Sequence, residues 1–377
     1  MYISTYEQLT AFCARARGFA AVAIDTEFLR ERTYHAKLCL VQVATPDECA
    51  AIDPLAIDDL SPLADLMADV DTLKVFHACS QDMEVLFHTL GVCPTPIFDT
   101  QIAAAFLGER AQCSYHNLVH SFCGTSLPKT ESLTDWSRRP LTPQQVEYAL
   151  DDVRYLIDAY HVIEDKLHSL GRTAWVRDEI RPFANPAHYA NDPRSAYKRV
   201  KRVGACTRRQ LAVARELAAW REHRAEARDV PRKWVMSDEV LLALCKRAPK
   251  TIDDFRAVRG TEQLSSRDVE VALDAVRRGC RCPADNLPSM PRNHRAPAPE
   301  LESVIDLMYA LIRLVSERSG VATSIIVSRD GLLDYIDHPE RSPLREGWRF
   351  ELVGTLIDDL LKGNIGLTVK DGALEIL

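Results

Sequence analysis

No apolar run in this chain reaches the roughly 18 residues that a membrane-spanning helix needs, so no span is expected. The N-terminus, MYISTYEQLT, lacks both a basic start and an apolar core, and does not read as a signal peptide. The eleven cysteines lack any repeating spacing. Cys280 and Cys282 are the only close pair, and the single residue between them does not make a zinc knuckle. Reduced thiols in a cytoplasmic protein are therefore expected. An excess of positive charge is also missing, since 47 Lys and Arg face 54 Asp and Glu for a net charge of −7. That sum does not exclude a nucleic-acid partner, because binding depends on where the charge sits. No short-period internal repeat is evident. What is present is an ordinary globular composition, 46% hydrophobic and 27% charged, over 377 residues, enough for two or three domains.

The first half alternates between strand and helix patterns. AAVAIDTEF (residues 20–28), KLCLVQVAT (37–45) and TLKVFHAC (72–79) are short runs rich in Val, Ile, Leu and Phe, each fitting a strand largely buried in a sheet. SPLADLMADV opens with Ser61-Pro62, a helix start. SQDMEVLFHTLG sets Met83, Leu86, Phe87 and Leu90 on one helical face and stops at Gly91. From Thr142, an N-cap followed by a first-turn proline, the pattern predicts one long helix running past Leu167. These elements define an α/β domain over residues 1–170. Residues 171–206 form a draped or linking segment that contains PFANPAHYANDP. Helical patterns return from Arg208 to Lys246 and again at PKTIDDF. The segment 286–300 lies in a second proline-rich break, and residues 301–377 read as mostly helical.

Asp25 and Glu27 stand two apart in an otherwise apolar strand, so their carboxylates share one face. Like charges in a low-dielectric setting repel, and a divalent cation removes that cost. A strand end with two solvated acids is the plainer reading of this fragment alone. Asp82 falls near the first turn of the helix after TLKVFHAC, where a helix dipole favours any acid. His77 reads as a strand-end residue bonded to backbone rather than a metal ligand. Tyr148 and Asp152 are four apart on a helix and share a face, while Asp151, three from Tyr148, overlaps enough that spacing does not exclude it.

Taken together, Asp-x-Glu on a first strand, Asp after a later strand and Tyr-x-x-x-Asp on a late helix resemble the DEDDy exonuclease superfamily, with its ribonuclease H-like fold. IDTEF, LCLVQVA, VFHACSQD, IFDTQIAAAFLG, SYHNLV and LPKTESLTDWSRRPLTPQQVEYALDDVRYL follow the order and spacing of the ribonuclease D family. ARELAAWREHRAEARDVPRKWVMSDEVLLALCKRAPKTIDDFRAVRG resembles an HRDC domain, placed at residues 207–285, and residues 301–377 sit where that family has a second HRDC-like domain. The resemblance implies an α/β ribonuclease H-like exonuclease domain followed by all-α HRDC-type helical domains. It carries over Asp25, Glu27, Asp82 and Asp152 as metal ligands and Tyr148 as the residue orienting the attacking water, and it selects Asp152 over Asp151. Gln81 departs from the acid that many members have there, which touches only the surroundings of Asp82.

The activity so implied is a 3′→5′ exoribonuclease that releases 5′-mononucleotides, with the 3′ ends of tRNA precursors and other small RNAs as substrates. Four carboxylates suit two divalent cations, and oxygen-only ligands point to Mg²⁺ or Mn²⁺. A phenol, with an ordinary pKa near 10, aligns water rather than deprotonating it. Lys129, Arg138 and Arg139 are candidate phosphate contacts, with a solvated loop as the equal alternative. Residues 194–233 hold 13 Lys or Arg against 4 Asp or Glu, about +9 in a chain of −7. About half of these are expected to reach RNA, with Lys198, Arg199, Lys201 and Arg202 foremost. Two other readings use the same residues: a DNA-directed 3′→5′ exonuclease, and a non-catalytic nucleic-acid-binding protein.

Overall fold

The computed structural model describes residues 1–127, 134–289 and 299–377. It divides into two compact units: Met1–Phe28, Leu38–His188 and Ala296–Leu377 form one, and Leu29–Lys37 with Tyr189–Arg295 form the other.

The first unit is built on a six-stranded sheet. Its strands are β1 (Tyr2–Ile3), β2 (Ala21–Leu29), β3 (Lys37–Ala44), β4 (Cys49–Ile52), β5 (Leu73–Phe76) and β6 (Ile97–Asp99). They lie in the order β1-β4-β3-β2-β5-β6. β2 pairs in parallel with β5 and β5 with β6, while β3 and β4 are antiparallel. Apolar runs such as AVAI and LCLV are continuous because β2 and β3 are interior strands, buried on both faces. β4 was not expected: its four residues follow a polar turn and are too short to show a period.

The α-helices of this part of the chain, among the described residues, are α1 (Tyr6–Ala16), α2 (Ser61–Ala68), α3 (Ser80–Leu90), α4 (Thr100–Ala105), α5 (Tyr115–Cys123), α6 (Pro143–Arg154), α7 (Leu156–Ser169) and α8 (Thr173–Ile180). The expected α2 and α3 are present, and Gly91 ends α3 in the left-handed conformation at φ 71°. Thr142 and Gln145 make a reciprocal capping box at the start of α6. The single long helix expected from Thr142 is instead two. Tyr155, at φ −102° and ψ 1°, leaves the helical conformation between α6 and α7. Its N–H is met by the Tyr115 hydroxyl at 3.3 Å, a tertiary bond that no local periodicity reveals.

In the second unit, α9 (Arg208–Ala227), α10 (Arg232–Val235), α11 (Asp238–Arg247), α12 (Ile252–Arg256) and α13 (Ser266–Cys280) enclose a separate apolar core. α9 and α13 approach so closely that a Cβ at Gly279 would fall 2.4 Å from the Val213 Cα. The helical stretch expected from Arg208 to Lys246 breaks where Asp229 turns to φ 46° before Pro231. The Leu29–Lys37 loop joins this unit through Tyr34. Its hydroxyl donates to Glu222 at 2.7 Å, and Arg232 lies 5.1 Å above its ring.

The C-terminal segment contains α14 (Pro299–Ser319), α15 (Thr323–Ile326), α16 (Arg329–Asp337), α17 (Gly347–Arg349) and α18 (Thr355–Lys362). It shares one core with the sheet domain: Met308 and Leu311 of α14 belong to the same cluster as Phe106, Ile163 and Val176. Arg349 clasps Glu179 at 2.6 and 3.0 Å, and the Trp348 indole N–H donates to the same carboxylate at 2.9 Å. The chain closes in a hairpin of β7 (Leu367–Lys370) and β8 (Ala373–Ile376), turning at Asp371 and Gly372, both with positive φ.

Candidate active site

β2 carries Asp25 and Glu27 toward its C-terminal end, where the strand's side chains become partly accessible. Asp152 arrives from the last turn of α6. Carboxylate oxygens of Asp25, Glu27 and Asp152 lie within 4.8 Å of one another. Asp82, in the first turn of α3, is buried and accepts a 2.5 Å hydrogen bond from the Thr26 hydroxyl on β2. Asp151 points elsewhere and is engaged by Arg154. Tyr148, one turn before Asp152, hydrogen-bonds its carboxylate. The Tyr148 ring stacks on Trp136, with centroids 6.1 Å apart and planes 24° from parallel.

The crowding shows in the proton affinities. Burial raises the Asp25 carboxyl well above the usual range, and the charges of Asp82, Asp152 and Glu27 raise it further. Burial and then Asp152 and Asp82 push Glu27 up to about 8. Asp82 is pushed up to about 7, mainly by burial, against the lowering bond from Thr26. Asp152 is likewise pushed up to about 7 by burial, against the bond from Tyr148. The structure thus holds an acidic cluster, and its carboxylate-oxygen donors are of the type that fits a hard divalent cation.

The turn that delivers Asp82 is itself held. Ala78 adopts φ 63°, costly for a residue with a Cβ. The Asp99 carboxylate accepts from Ala78 N at 3.2 Å and Cys79 N at 2.7 Å, and also caps α4. Asp99 had no role in the sequence reading, although an N-cap Asp before TQIAAA is a visible signal. Thr26 and Trp136 were missed as well. Thr26 points to the face opposite Asp25 and Glu27 in an alternating strand, so only the tertiary structure reveals its bond. His77 behaves as expected, with Nε2 2.9 Å from the Cys113 carbonyl and Nδ1 3.0 Å from the Thr100 hydroxyl.

Of the candidate phosphate contacts, Lys129 lies outside the described residues. Arg138 is 84% exposed and stands 3.3 Å from Asp135. Arg139, expected as a phosphate contact or a solvated loop residue, is instead bonded to the protein. Nε and Nη2 clasp Asp53 at 2.6 Å each, Nη2 also reaches the Cys39 carbonyl, and Nη1 donates to the Trp136 and Arg138 carbonyls. All five guanidinium N–H groups are thereby used, leaving none for a phosphate. In the second unit, Lys198, Arg199, Lys201 and Arg202 are exposed. Arg194, Arg215, Arg221, Arg224 and Arg232 are instead paired with carboxylates, and Arg208 and Arg209 donate to carbonyls.

An acidic cluster on a mixed sheet, completed by a Tyr and an Asp one turn apart on a following helix, defines a metal-dependent 3′–5′ exonuclease of the DEDD type. The family model described as 3'-5' exonuclease matches residues 1–168, and the HRDC domain model matches residues 210–268. Ribonuclease D of Jannaschia sp. (strain CCS1) is 39% identical over 100% of this chain and 98% of its own length. Ribonuclease D of Bartonella henselae is 37% identical over 96% of this chain and 90% of its own length. The crystal structure of Escherichia coli RNase D, described as an exoribonuclease involved in structured RNA processing, superposes with a TM-score of 0.81 at 31% identity. It covers 96% of this chain and 98% of that one. The chain belongs to the ribonuclease D family and is a hydrolytic 3′→5′ exoribonuclease. Among the described residues, no helix is long and apolar enough to cross a membrane.

Proposed function

We propose that Asp25, Glu27, Asp82 and Asp152 hold two divalent cations, Mg²⁺ or Mn²⁺, and that hydrolysis of the 3′-terminal phosphodiester occurs beside them. The observation that carries this reading is the convergence of Asp25, Glu27 and Asp152 oxygens within 4.8 Å in partly buried surroundings. Such cations, when bound, supply positive charge to the scissile phosphate and the departing 3′ oxygen and increase the acidity of water. The chain's own residues do the rest. Thr26 fixes one Asp82 oxygen, so that the carboxylate is oriented before any ligand arrives. Tyr148, already bonded to Asp152, presents its hydroxyl where a water can be hydrogen-bonded and aligned with phosphorus. Its stack on Trp136 restricts the ring. The exposed Lys198, Arg199, Lys201 and Arg202 offset the repulsion between an acidic site and a polyanion. Arg138 is a further candidate contact for the RNA.

The proposed substrates are the 3′ ends of tRNA precursors and other small structured RNAs, processed in the cytoplasm. The relatives' shared name and the structured-RNA role of the Escherichia coli protein support that choice. Replacing Asp25 or Asp152 with Asn tests the site. Each change removes one ligand charge with little change in volume, and cleavage should nearly vanish while the fold persists. Unaltered turnover at saturating Mg²⁺ overturns the assignment.

A further inference from the structure

Tyr148 can align water only if its ring is held, and one face of that ring rests on Trp136. Trp136 belongs to no helix or strand; it lies in a turn ahead of α6. Its placement therefore needs another cause. The Trp136 carbonyl accepts from Arg139 Nη1 at 2.8 Å. The same guanidinium is clamped bidentately by Asp53 and reaches the Cys39 carbonyl on β3 at 2.7 Å. Asp53 directly follows β4, and its N–H donates to Ile3 O on β1 at 2.9 Å. Its side chain is only 2% exposed and also accepts from the Tyr2 hydroxyl at 2.5 Å and from Leu55 N at 2.9 Å. Burial would raise the Asp53 carboxyl, but the bonds from Arg139, Tyr2 and Leu55 outweigh it and hold the acid below its ordinary value. A charged fork on a charged acid thus ties the Trp136 turn to three strands of the sheet.

We propose that Arg139, held by Asp53, is a positioning residue for the exonuclease reaction. It fixes Trp136, and through Trp136 the ring and hydroxyl of Tyr148. This rests on the assignment of Tyr148 as the residue that aligns water. It also gives Arg139 a different task from the phosphate contact suggested by its place in SRRP. A carboxylate and five satisfied donors make the arrangement specific to a planar fork, which a lysine cannot reproduce.

The test is a double-substitution cycle on the full chain with Mn²⁺ or Mg²⁺ and a 3′-tailed RNA. Arg139 borders a cleft of about 810 Å³ lined by Tyr2, Ala56, Leu141, Pro143 and Val146, so Arg139→Lys meets open space rather than packed core. The expected result is a kcat about 10–100-fold lower, as a misplaced aligning group produces, with KM close to wild type. In a Tyr148→Phe background the same change should cost less than about threefold, because the hydroxyl it positions is already gone. Equal losses in the two backgrounds overturn the proposal, and so does a raised KM with kcat retained, which would make Arg139 a contact for RNA. If the lysine variant does not fold, Asp53→Asn carries the same cycle with the same two readings. Asp25→Asn is measured alongside. Activity surviving in it overturns the metal-site assignment itself, whereas an inactive Asp25→Asn with additive Arg139 losses overturns only the positioning role.

Discussion

Asp152→Asn should have opposite effects on activity and on the stability of the metal-free protein. In the absence of cations the wild-type fold holds Asp82 and Asp152 near a pKa of about 7 and Glu27 near about 8. Unfolded carboxyls titrate near 4. The folded state therefore binds these protons more tightly than the unfolded chain, and the associated stability is fully present below about pH 4 and lost progressively as pH rises through the folded values of about 7 to 8. Moving Asp152 from 3.8 to about 7 corresponds to roughly 4 kcal/mol at about 1.4 kcal/mol per unit. Burial is the main cause, an uncharged amide largely escapes it, and the acids left behind in the cluster can still exchange protons, so the change should recover about half, on the order of 2 kcal/mol. At about 2–4 °C per kcal/mol, the chelated Asn variant should melt about 4–8 °C above chelated wild type at pH 8 and by less than about half that margin at pH 5. Added Mn²⁺ should raise the wild-type melting temperature more at pH 8 than at pH 5 and raise that of the variant less. Thermal melts in EDTA or Mn²⁺ at both pH values, paired with RNA cleavage, measure all of this. A variant that melts no higher than wild type in EDTA at pH 8 refutes the picture of carboxylates crowded without a counterion.

Tyr148→Phe should lower turnover strongly but incompletely and leave RNA affinity nearly unchanged; wild-type turnover would make Tyr148 only a packing residue. Replacing Lys198, Arg199, Lys201 and Arg202 together with Ala should weaken RNA binding and flatten the log affinity against log salt slope by about one to three units. Binding of an Asp25→Asn form across a salt series checks this, and an unchanged slope assigns the RNA to another surface. Arg349→Ala leaves Glu179 without its clasp, so the first unit should lose about 1–3 kcal/mol, after allowance for the partly exposed pair. Chemical denaturation measures it, and an unchanged midpoint would show that the apolar core alone holds the C-terminal helices.

The parts of the site legible in sequence were those with local signatures. Asp25 and Glu27 obey strand alternation, Gly91 stops α3 by its backbone freedom, and Tyr148 and Asp152 keep helical spacing. The parts not legible depend on distant contacts. β4 exists because β3 and β1 flank it, and Tyr155 splits the expected helix because Tyr115 reaches its N–H. In SRRP Arg139 fits a phosphate contact or a solvated loop, because its partner Asp53 lies 86 positions away. The Asp371-Gly372 turn is different: Asp-Gly between short apolar runs is a readable hairpin signal, lost in the helical texture of the C-terminal segment. In the basic stretch, charge alone does not separate arginines held in place, such as Arg221 on Asp238, from the exposed group at Lys198–Arg202.

A 5′-labelled, 3′-tailed RNA digested by wild type and by Asp25→Asn in Mg²⁺ or Mn²⁺ gives a product ladder that reads polarity and the acidic site together. Wild type should shorten the RNA stepwise from the 3′ end and release 5′-mononucleotides. Cleavage should stop with EDTA or a blocked 3′ end, proceed regardless of a 5′ block, and be nearly absent in Asp25→Asn. Shortening that a 5′ block arrests, or an Asp25→Asn protein that produces the wild-type ladder at the wild-type rate, would contradict this reading of polarity and site.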